Sequence, residues 1–231
     1  MHPRKAPDEP APPRRRFFVA SRLGIGFEGR MSLPDYHLEE LAILRGATLV
    51  AGVDEVGRGP LAGPVMAAAV ILDANKVPDG LNDSKKLSAK RRAALYEQIL
   101  DVADVGFGEA SVEEIDEINI LRASHLAMVR AVQNLSGRPD YVLVDGKMIP
   151  RGLNVRAEGV VKGDTKSVSI SAASIVAKIR RDRLMESLAQ QFPGYGWERN
   201  MGYPTKEHKN ALVNLGITPH HRRSFKPVHN I

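Results

Sequence analysis

The segment Gly52-Val53-Asp54-Glu55-Val56-Gly57-Arg58-Gly59-Pro60 puts two adjacent carboxylates beside an arginine flanked by glycines, directly after an apolar run. Carboxylate oxygens hold hard divalent cations such as magnesium, and glycines let main chain come close to a ligand that side chains would block. The combination points to metal chemistry on a phosphate-bearing substrate. In a regular strand two neighbouring acids face opposite sides of the sheet, so joint metal binding predicts a bend at Asp54 and Glu55, which Gly57 and Gly59 permit. Taken alone, the pair also fits a polar strand terminus with Glu55 solvated.

Asp145 closes the apolar run 141–144, and Gly146 lets the chain turn away at once. Ligands of open α/β sheets gather outside the C-terminal ends of strands, where Asp54 and Asp145 could meet despite their separation in sequence. By itself Asp145 reads as a turn aspartate bonded to its own backbone. Asp164 is equally two-sided, since Lys162 and Lys166 either neutralise it or touch phosphate. His220-His221 lacks acidic or cysteine neighbours at zinc-ligand spacing and reads as a surface or packed pair. No G-x-x-x-x-G-K-[ST] loop or G-x-S-x-G elbow is present, which argues against a P-loop nucleotidase or a serine hydrolase.

The elements that position these residues can be read from periodicity and punctuation. Helix spacing runs over 35–45 with Gly46 as its stop, and 47–53 and 65–72 read as buried strands joined by the glycine-rich loop. Ser88 caps a helix to about Leu100, and 105–110 is a third strand. Ser111 and Glu114 form a capping-box signature for helical material to about Leu135, broken near Asn119. Strands follow at 141–144 and about 155–161, then one long helix over 169–191. The last stretch, 195–231, is coil-rich with one helix over 206–214 stopped by Gly216. This order predicts an α/β fold, a mixed sheet with helices packed against it.

The 231 residues fit one domain of ordinary size, and no apolar run is long enough for a membrane-spanning helix. Cysteine is absent, excluding disulfides and thiolate metal sites and fitting a reducing compartment. The net charge of +6 invites a nucleic-acid reading, but residues 1–30, with seven basic and three acidic side chains, carry +4 of it. Five prolines among arginines before Arg14 make 1–32 a disordered basic arm. Its Arg14-Arg15-Arg16-Phe17-Phe18 lacks the apolar stretch of an export signal, and Gly24-Ile25-Gly26-Phe27-Glu28-Gly29 lacks the helix a dinucleotide fingerprint needs.

The chain resembles the type 2 ribonucleases H, the bacterial ribonuclease HII family. Besides the D-E-x-G-R-G stretch, matching segments occur in order: Asn82-Asp83-Ser84-Lys85-Lys86-Leu87, Val144-Asp145-Gly146, Lys162-Gly163-Asp164, Ser171-Ala172-Ala173-Ser174, Arg181-Asp182-Arg183, Gly202-Tyr203-Pro204-Thr205-Lys206 and His221-Arg222-Arg223-Ser224-Phe225. They span about 47–228. The resemblance implies an RNase H-like catalytic domain over 33–192 and a small C-terminal helical extension over 193–231 that completes the substrate site. It assigns four metal-binding carboxylates, Asp54, Glu55, Asp145 and Asp164, holding two Mg²⁺ or Mn²⁺ ions. Asp182 falls outside that set and reads as structural, paired with Arg180, Arg183 or a backbone donor.

The same resemblance implies hydrolysis 5′ of ribonucleotides in RNA/DNA hybrids and in duplex DNA, leaving 3′-hydroxyl and 5′-phosphate ends, by a cytoplasmic monomer. Gly57, Arg58 and Gly59 would read the ribose 2′-hydroxyl through their backbone, Tyr203 would pack on the sugar, and Lys85 and Lys86 would contact phosphate. Lys206, Arg222 and Arg223 are weaker phosphate candidates; Ser84 and Ser171 read as caps or turn residues. The sister ribonuclease HIII family favours lysine where Arg58 stands and carries an extra N-terminal domain. A non-catalytic binding module on the same fold would have no reason to assemble four carboxylates.

Overall fold

A computed structural model describes residues 33–230, so the arm, its arginine run and its glycine pattern lie outside the described residues. The chain runs α1 (His37–Leu44), β1 (Val50–Val56), β2 (Val65–Ile71), α2 (Ala89–Val102), β3 (Asp104–Ala110), α3 (Val112–Gln133), β4 (Tyr141–Asp145), β5 (Arg156–Val160), α4 (Val168–Gln191), α5 (Trp197–Asn200) and α6 (Lys206–Leu215). The sheet has the order β3-β2-β1-β4-β5, antiparallel from β3 to β1 and parallel from β1 to β5. The mixed sheet expected from the element order is therefore present.

Each strand alternates between two apolar layers. Ala51, Val53, Val65, Ala67, Ala69, Val142 and Val144 bury themselves against Ala123, Ala127 and Ala131 of α3. On the other face Ala68 and Val70 meet α2 and α4 through Leu95, Ile99, Ala172 and Val176. Small side chains bring helix and sheet unusually close. A Cβ on Gly52 would collide with the backbone of Ser169 and Ile170, so α4 crosses β1 two residues before Asp54. Glu39 of α1, fully buried, fixes the start of α4 by accepting from Ser167 Oγ at 2.6 Å and Ser169 N at 3.0 Å.

The helix signals in the sequence act as read. Ser88 accepts from Arg91 N and the Ser111–Glu114 box closes in both directions; the helix at 206 has a cap the sequence reading did not name, Thr205, which accepts from His208 N. At Asn119 the backbone has φ 69°, and its Oδ1 accepts from Leu121 N and Arg122 N, which stops one helical run and caps the next. The strand 47–53 is displaced, however: β1 starts at Val50 and continues to Val56 because β2 keeps pairing with it, Glu55 opposite Ala67 and Val56 opposite Met66. Asp54 and Glu55 thus lie inside a strand, not beyond its end.

Residues after α4 form a third apolar layer. Trp197, Leu212 and Val228 pack with Met185 of α4 and with Leu61 and Ala62 of the β1–β2 loop. His221 is buried there with His208, their Nε2 atoms 3.1 Å apart. His208 Nδ1–H donates to the Tyr203 carbonyl at 3.0 Å, leaving Nε2 to accept from Trp197 Nε1–H and His221 Nε2–H; His221 Nδ1 accepts from Thr218 N–H at 2.9 Å. Of the adjacent pair read from the sequence, His221 is thus packed and bonded internally, while the half-buried His220 lies edge-on to the Phe192 ring and donates its N–H to Thr218 Oγ1.

Burial lowers the pKa of His208 and brings that of His221 down to about 4, from an ordinary 6.5. Below pH 6.5 the unfolded chain takes up protons that the folded chain does not, so their contribution is complete above 6.5 and is lost as the pH falls toward 4. The stability difference between the native chain and His221→Gln, followed by thermal melts from pH 7 to 4.5, is expected to shrink by up to about 1.4 kcal/mol per pH unit in this window. A pH-independent difference would contradict the buried, neutral assignment.

Candidate active site

Pairing of β1 with β4 in the parallel register Val53 opposite Val144 brings the next residues, Asp54 and Asp145, side by side. Both point to the α4 face, since their neighbours Val53 and Val144 belong to the α3 layer. Asp54 is buried, and its Oδ1 accepts from Glu55 N at 2.7 Å, so the side chain curls along its own strand. Oxygens of Asp54, Glu55 and Asp145 all lie within 4.8 Å of one another. The strand alternation that would separate Glu55 from Asp54 is overcome by this curl.

Asp164 is not part of that closest trio. It sits in a 3-10 turn over Gly163–Thr165 that follows β5, and Gly163 N donates to Asp145 Oδ1 at 2.7 Å, tying the turn to the cluster. Lys162 takes a left-handed conformation, φ 56°, to enter the turn. Burial raises the pKa of Asp164, and the charges of Asp83 and Asp145 raise it further while Lys85 opposes them. Asp145 is raised by burial and by Glu55, against the Gly163 hydrogen bond and Lys85. Burial, Glu55 and Asp145 hold Asp54 well above the usual carboxylate range, against a hydrogen bond from Ser174.

Ser174 also lies 2.9 Å from Ser84, hydroxyl to hydroxyl, so α4 links Asp54 to the loop carrying Lys85. Ser84 lies in a turn, as read from the sequence, and is buried there against α4. Ser171, read as a cap or turn residue, is instead buried within α4, because the helix already starts at Val168 with Ser167 as its cap. Lys85 is exposed yet close enough to lower both Asp145 and Asp164. Lys86 is exposed, and its N–H donates to the Asp83 carbonyl.

Beyond β1 the chain turns at Gly57, φ 92°, a conformation that suits glycine; a Cβ there would also strike the Arg181 side chain. Arg58 is exposed and pairs with Glu55 Oε1 at 3.1 Å. A Cβ on Gly59 would come 3.3 Å from the half-exposed Tyr203 ring, so the glycine-rich loop and Tyr203 form one surface. Arg222 is not on that surface. Fully buried, it donates to carbonyls of Gly57, Arg58 and Gly63, which removes it from the phosphate candidates. Lys206 and Arg223 remain exposed, the latter donating its N–H to Asp116.

Asp182 pairs with Lys178 Nζ at 2.7 Å, one helical turn back. Neither neighbouring arginine is its partner: Arg180 lies over the Phe107 ring and Arg183 over Tyr96, because their long side chains reach sideways off α4 to aromatic faces.

A family model described as Ribonuclease HII matches residues 51–228. The chain belongs to the ribonuclease HII family. It is a ribonuclease H, a metal-dependent hydrolase. Ribonuclease HII of Ruegeria sp. (strain TM1040) is 62% identical over 224 residues, covering 94% of this chain and 98% of that protein. The crystal structure of ribonuclease H2 from Pyrococcus horikoshii OT3 aligns with TM-score 0.66 and 28% identity over 79% of this chain and 96% of that one. A structure of Bst-RNase HIII in complex with Mn²⁺ shares the fold, with TM-score 0.64 and 18% identity over 80% of this chain and 69% of that one. No helix among the described residues is long and apolar enough to cross a membrane.

The donor set suits a hard divalent cation: three carboxylates with converging oxygens, two of them with pKa raised by burial and then by their neighbours' charges. A carboxyl whose folded pKa is raised opposes folding increasingly as the pH climbs above its unfolded value, 3.8 for Asp54. Asp54→Asn is therefore expected to stabilise the chain in EDTA near pH 8 by on the order of 1 kcal/mol, about 2–4 °C in melting temperature for a domain of this size. It should also diminish the further rise produced by Mg²⁺ or Mn²⁺. A destabilised variant that keeps the full divalent response would count against the cluster.

Proposed function

We propose that the chain is an endonuclease that hydrolyses the phosphodiester 5′ of ribonucleotides, in RNA/DNA hybrids and singly within duplex DNA, leaving 3′-hydroxyl and 5′-phosphate ends. The reading is supported above all by one arrangement: three carboxylates converge within 4.8 Å next to a glycine turn that abuts Tyr203. Asp54, Glu55, Asp145 and Asp164 would hold two divalent ions, Mg²⁺ or Mn²⁺. Such ions, when bound, neutralise the carboxylates and supply Lewis-acid stabilisation for charge developing on the phosphate.

The chain's own groups do the remaining work. Asp54, stiffened by Glu55 N–H, and Asp145, held by Gly163 N–H, enter the reaction with their oxygens already oriented. Backbone of Gly57, Arg58 and Gly59 reads the 2′-hydroxyl, the group that separates RNA from DNA. Tyr203 packs on the sugar and gives that hydroxyl a fixed distance from the acids. Lys85, whose charge already reaches Asp145 and Asp164, and Lys86 contact backbone phosphate and set the register of the duplex. Residues 193–230 act as an extension that completes this substrate surface on a catalytic body formed by 33–192. The enzyme works as a cytoplasmic monomer in removing ribonucleotides from DNA.

The test is a DNA duplex with one embedded ribonucleotide, incubated with and without Mg²⁺ or Mn²⁺. A divalent-dependent nick on the 5′ side of the ribonucleotide is expected, and its absence would sink the reading. Asp145→Asn and Asp164→Asn should each lower turnover by at least about a hundredfold, by analogy with loss of one preorganised electrostatic group. Asp182→Asn should leave turnover within a few-fold and act on stability alone. Equal, mild effects of all three on turnover would contradict the assignment.

A further inference from the structure

Two arginines are buried behind the β1–β2 loop without any carboxylate partner among the described residues. Arg181 donates to the carbonyls of Ala62, Pro64 and Met201, each at 3.0 Å. Arg222 donates from Nε to Gly63 O at 2.9 Å, from one terminal nitrogen to Arg58 O at 3.1 Å and from the other to Gly57 O at 2.6 Å, and its guanidinium lies 5.1 Å from the centroid of the Phe225 ring. Burying two like charges close together is unfavourable for folding, and main-chain carbonyls offset that only in part. The fold gains something other than stability from Arg222.

What it fixes follows from peptide geometry. In a planar trans peptide the C=O and the N–H point in opposite directions. The carbonyl of Gly57 shares its plane with the N–H of Arg58, and the carbonyl of Arg58 shares its plane with the N–H of Gly59. With both carbonyls drawn inward by one guanidinium, both N–H groups face outward. Accordingly Gly57 is buried whereas Arg58 and Gly59 are exposed, and among the described residues neither N–H donates to another protein group. Gly59 lies against the Tyr203 ring. The cation also polarises both peptide units, which strengthens the outward donors.

We infer that Arg222 is a positioning residue for recognition of the ribose 2′-hydroxyl, its guanidinium fork aiming the N–H groups of Arg58 and Gly59 at the ribose. The inference rests on the proposed reading of that hydroxyl by residues 57–59. Asp116 of α3 serves the same purpose one step away, accepting from Arg223 N and Ser224 N at 2.9 Å each and so holding the segment that carries Arg222. Gly63 N donates to His220 O and Arg222 N to Leu61 O, which closes the segment onto the loop from the other side.

The experiment measures equilibrium binding in Mg²⁺ to a duplex with one ribonucleotide and to its all-deoxy counterpart, in an Asp145→Asn background that keeps the duplex intact. The background chain is expected to prefer the ribonucleotide duplex by at least about tenfold, as for a site built around a substrate hydroxyl. Adding Arg222→Met should reduce the preference to about twofold or less while all-deoxy affinity stays within about threefold. Arg181→Met, which frees carbonyls outside the 57–59 peptides, should lower melting temperature but keep the preference. Asp116→Ala, at a partly exposed position, should cut the preference about threefold and decides the matter if Arg222→Met does not fold. Full preference retained in Arg222→Met or Asp116→Ala, or equal loss in Arg181→Met, overturns the inference alone. No preference in the background chain overturns the reading of the 2′-hydroxyl and the inference with it.

Discussion

Parallel pairing of β1 with β4 confines Asp54 and Asp145 to neighbouring places on one face of the sheet, and the rest of the site is arranged around the repulsion that follows. Two carboxylate charges about 4 Å apart at an effective dielectric constant near 20 repel by about 4 kcal/mol. A domain's whole stability is about 5–15 kcal/mol, so charges of this kind cannot simply be absorbed. The chain limits the cost through the Ser174 and Gly163 hydrogen bonds, through Lys85 and through the Arg58–Glu55 pair. What remains unneutralised is an affinity for cations.

The cationic counterpart is concealed. Arg181 and Arg222 sit behind the loop that leads away from the acids, and burial lowers the pKa of Arg181 to about 10 and of Arg222 to about 9. They touch main chain, so their effect is on backbone orientation and not on charge balance at the surface. The residues after α4 therefore meet the glycine-rich loop twice, through Tyr203 on the surface and Arg222 beneath it. The histidine pair belongs to the same layer, since His208 holds the Tyr203 carbonyl.

Features set by local chemistry were legible in the sequence. Ser88, Ser111 with Glu114, and Asn119 mark helix starts and a break because their side chains bond to amides within three residues. Asp54 and Asp145 were legible as acids on or after apolar runs. The limits of β1 were not, because its last residues are strand only by virtue of pairing with β2 across a loop. Burial of polar groups was the other gap. Arg222 next to Arg223 looks like a phosphate-binding pair, and only the packing of the C-terminal segment onto Leu61 and Ala62 separates a buried fork from an exposed cation. Asp182 among three arginines looks paired to one of them, yet α4 turns Arg180 and Arg183 onto aromatic rings, Arg181 is taken up by main-chain carbonyls, and Lys178 is left within reach.

The central claim is that the carboxylates brought together by the β1–β4 register form a divalent-cation site. Anomalous diffraction from crystals soaked in Mn²⁺ tests it most directly. The account predicts a manganese peak within coordination distance of oxygens from Asp54, Glu55 and Asp145. Well-ordered carboxylates with no peak among them, at Mn²⁺ concentrations that support cleavage, would contradict it.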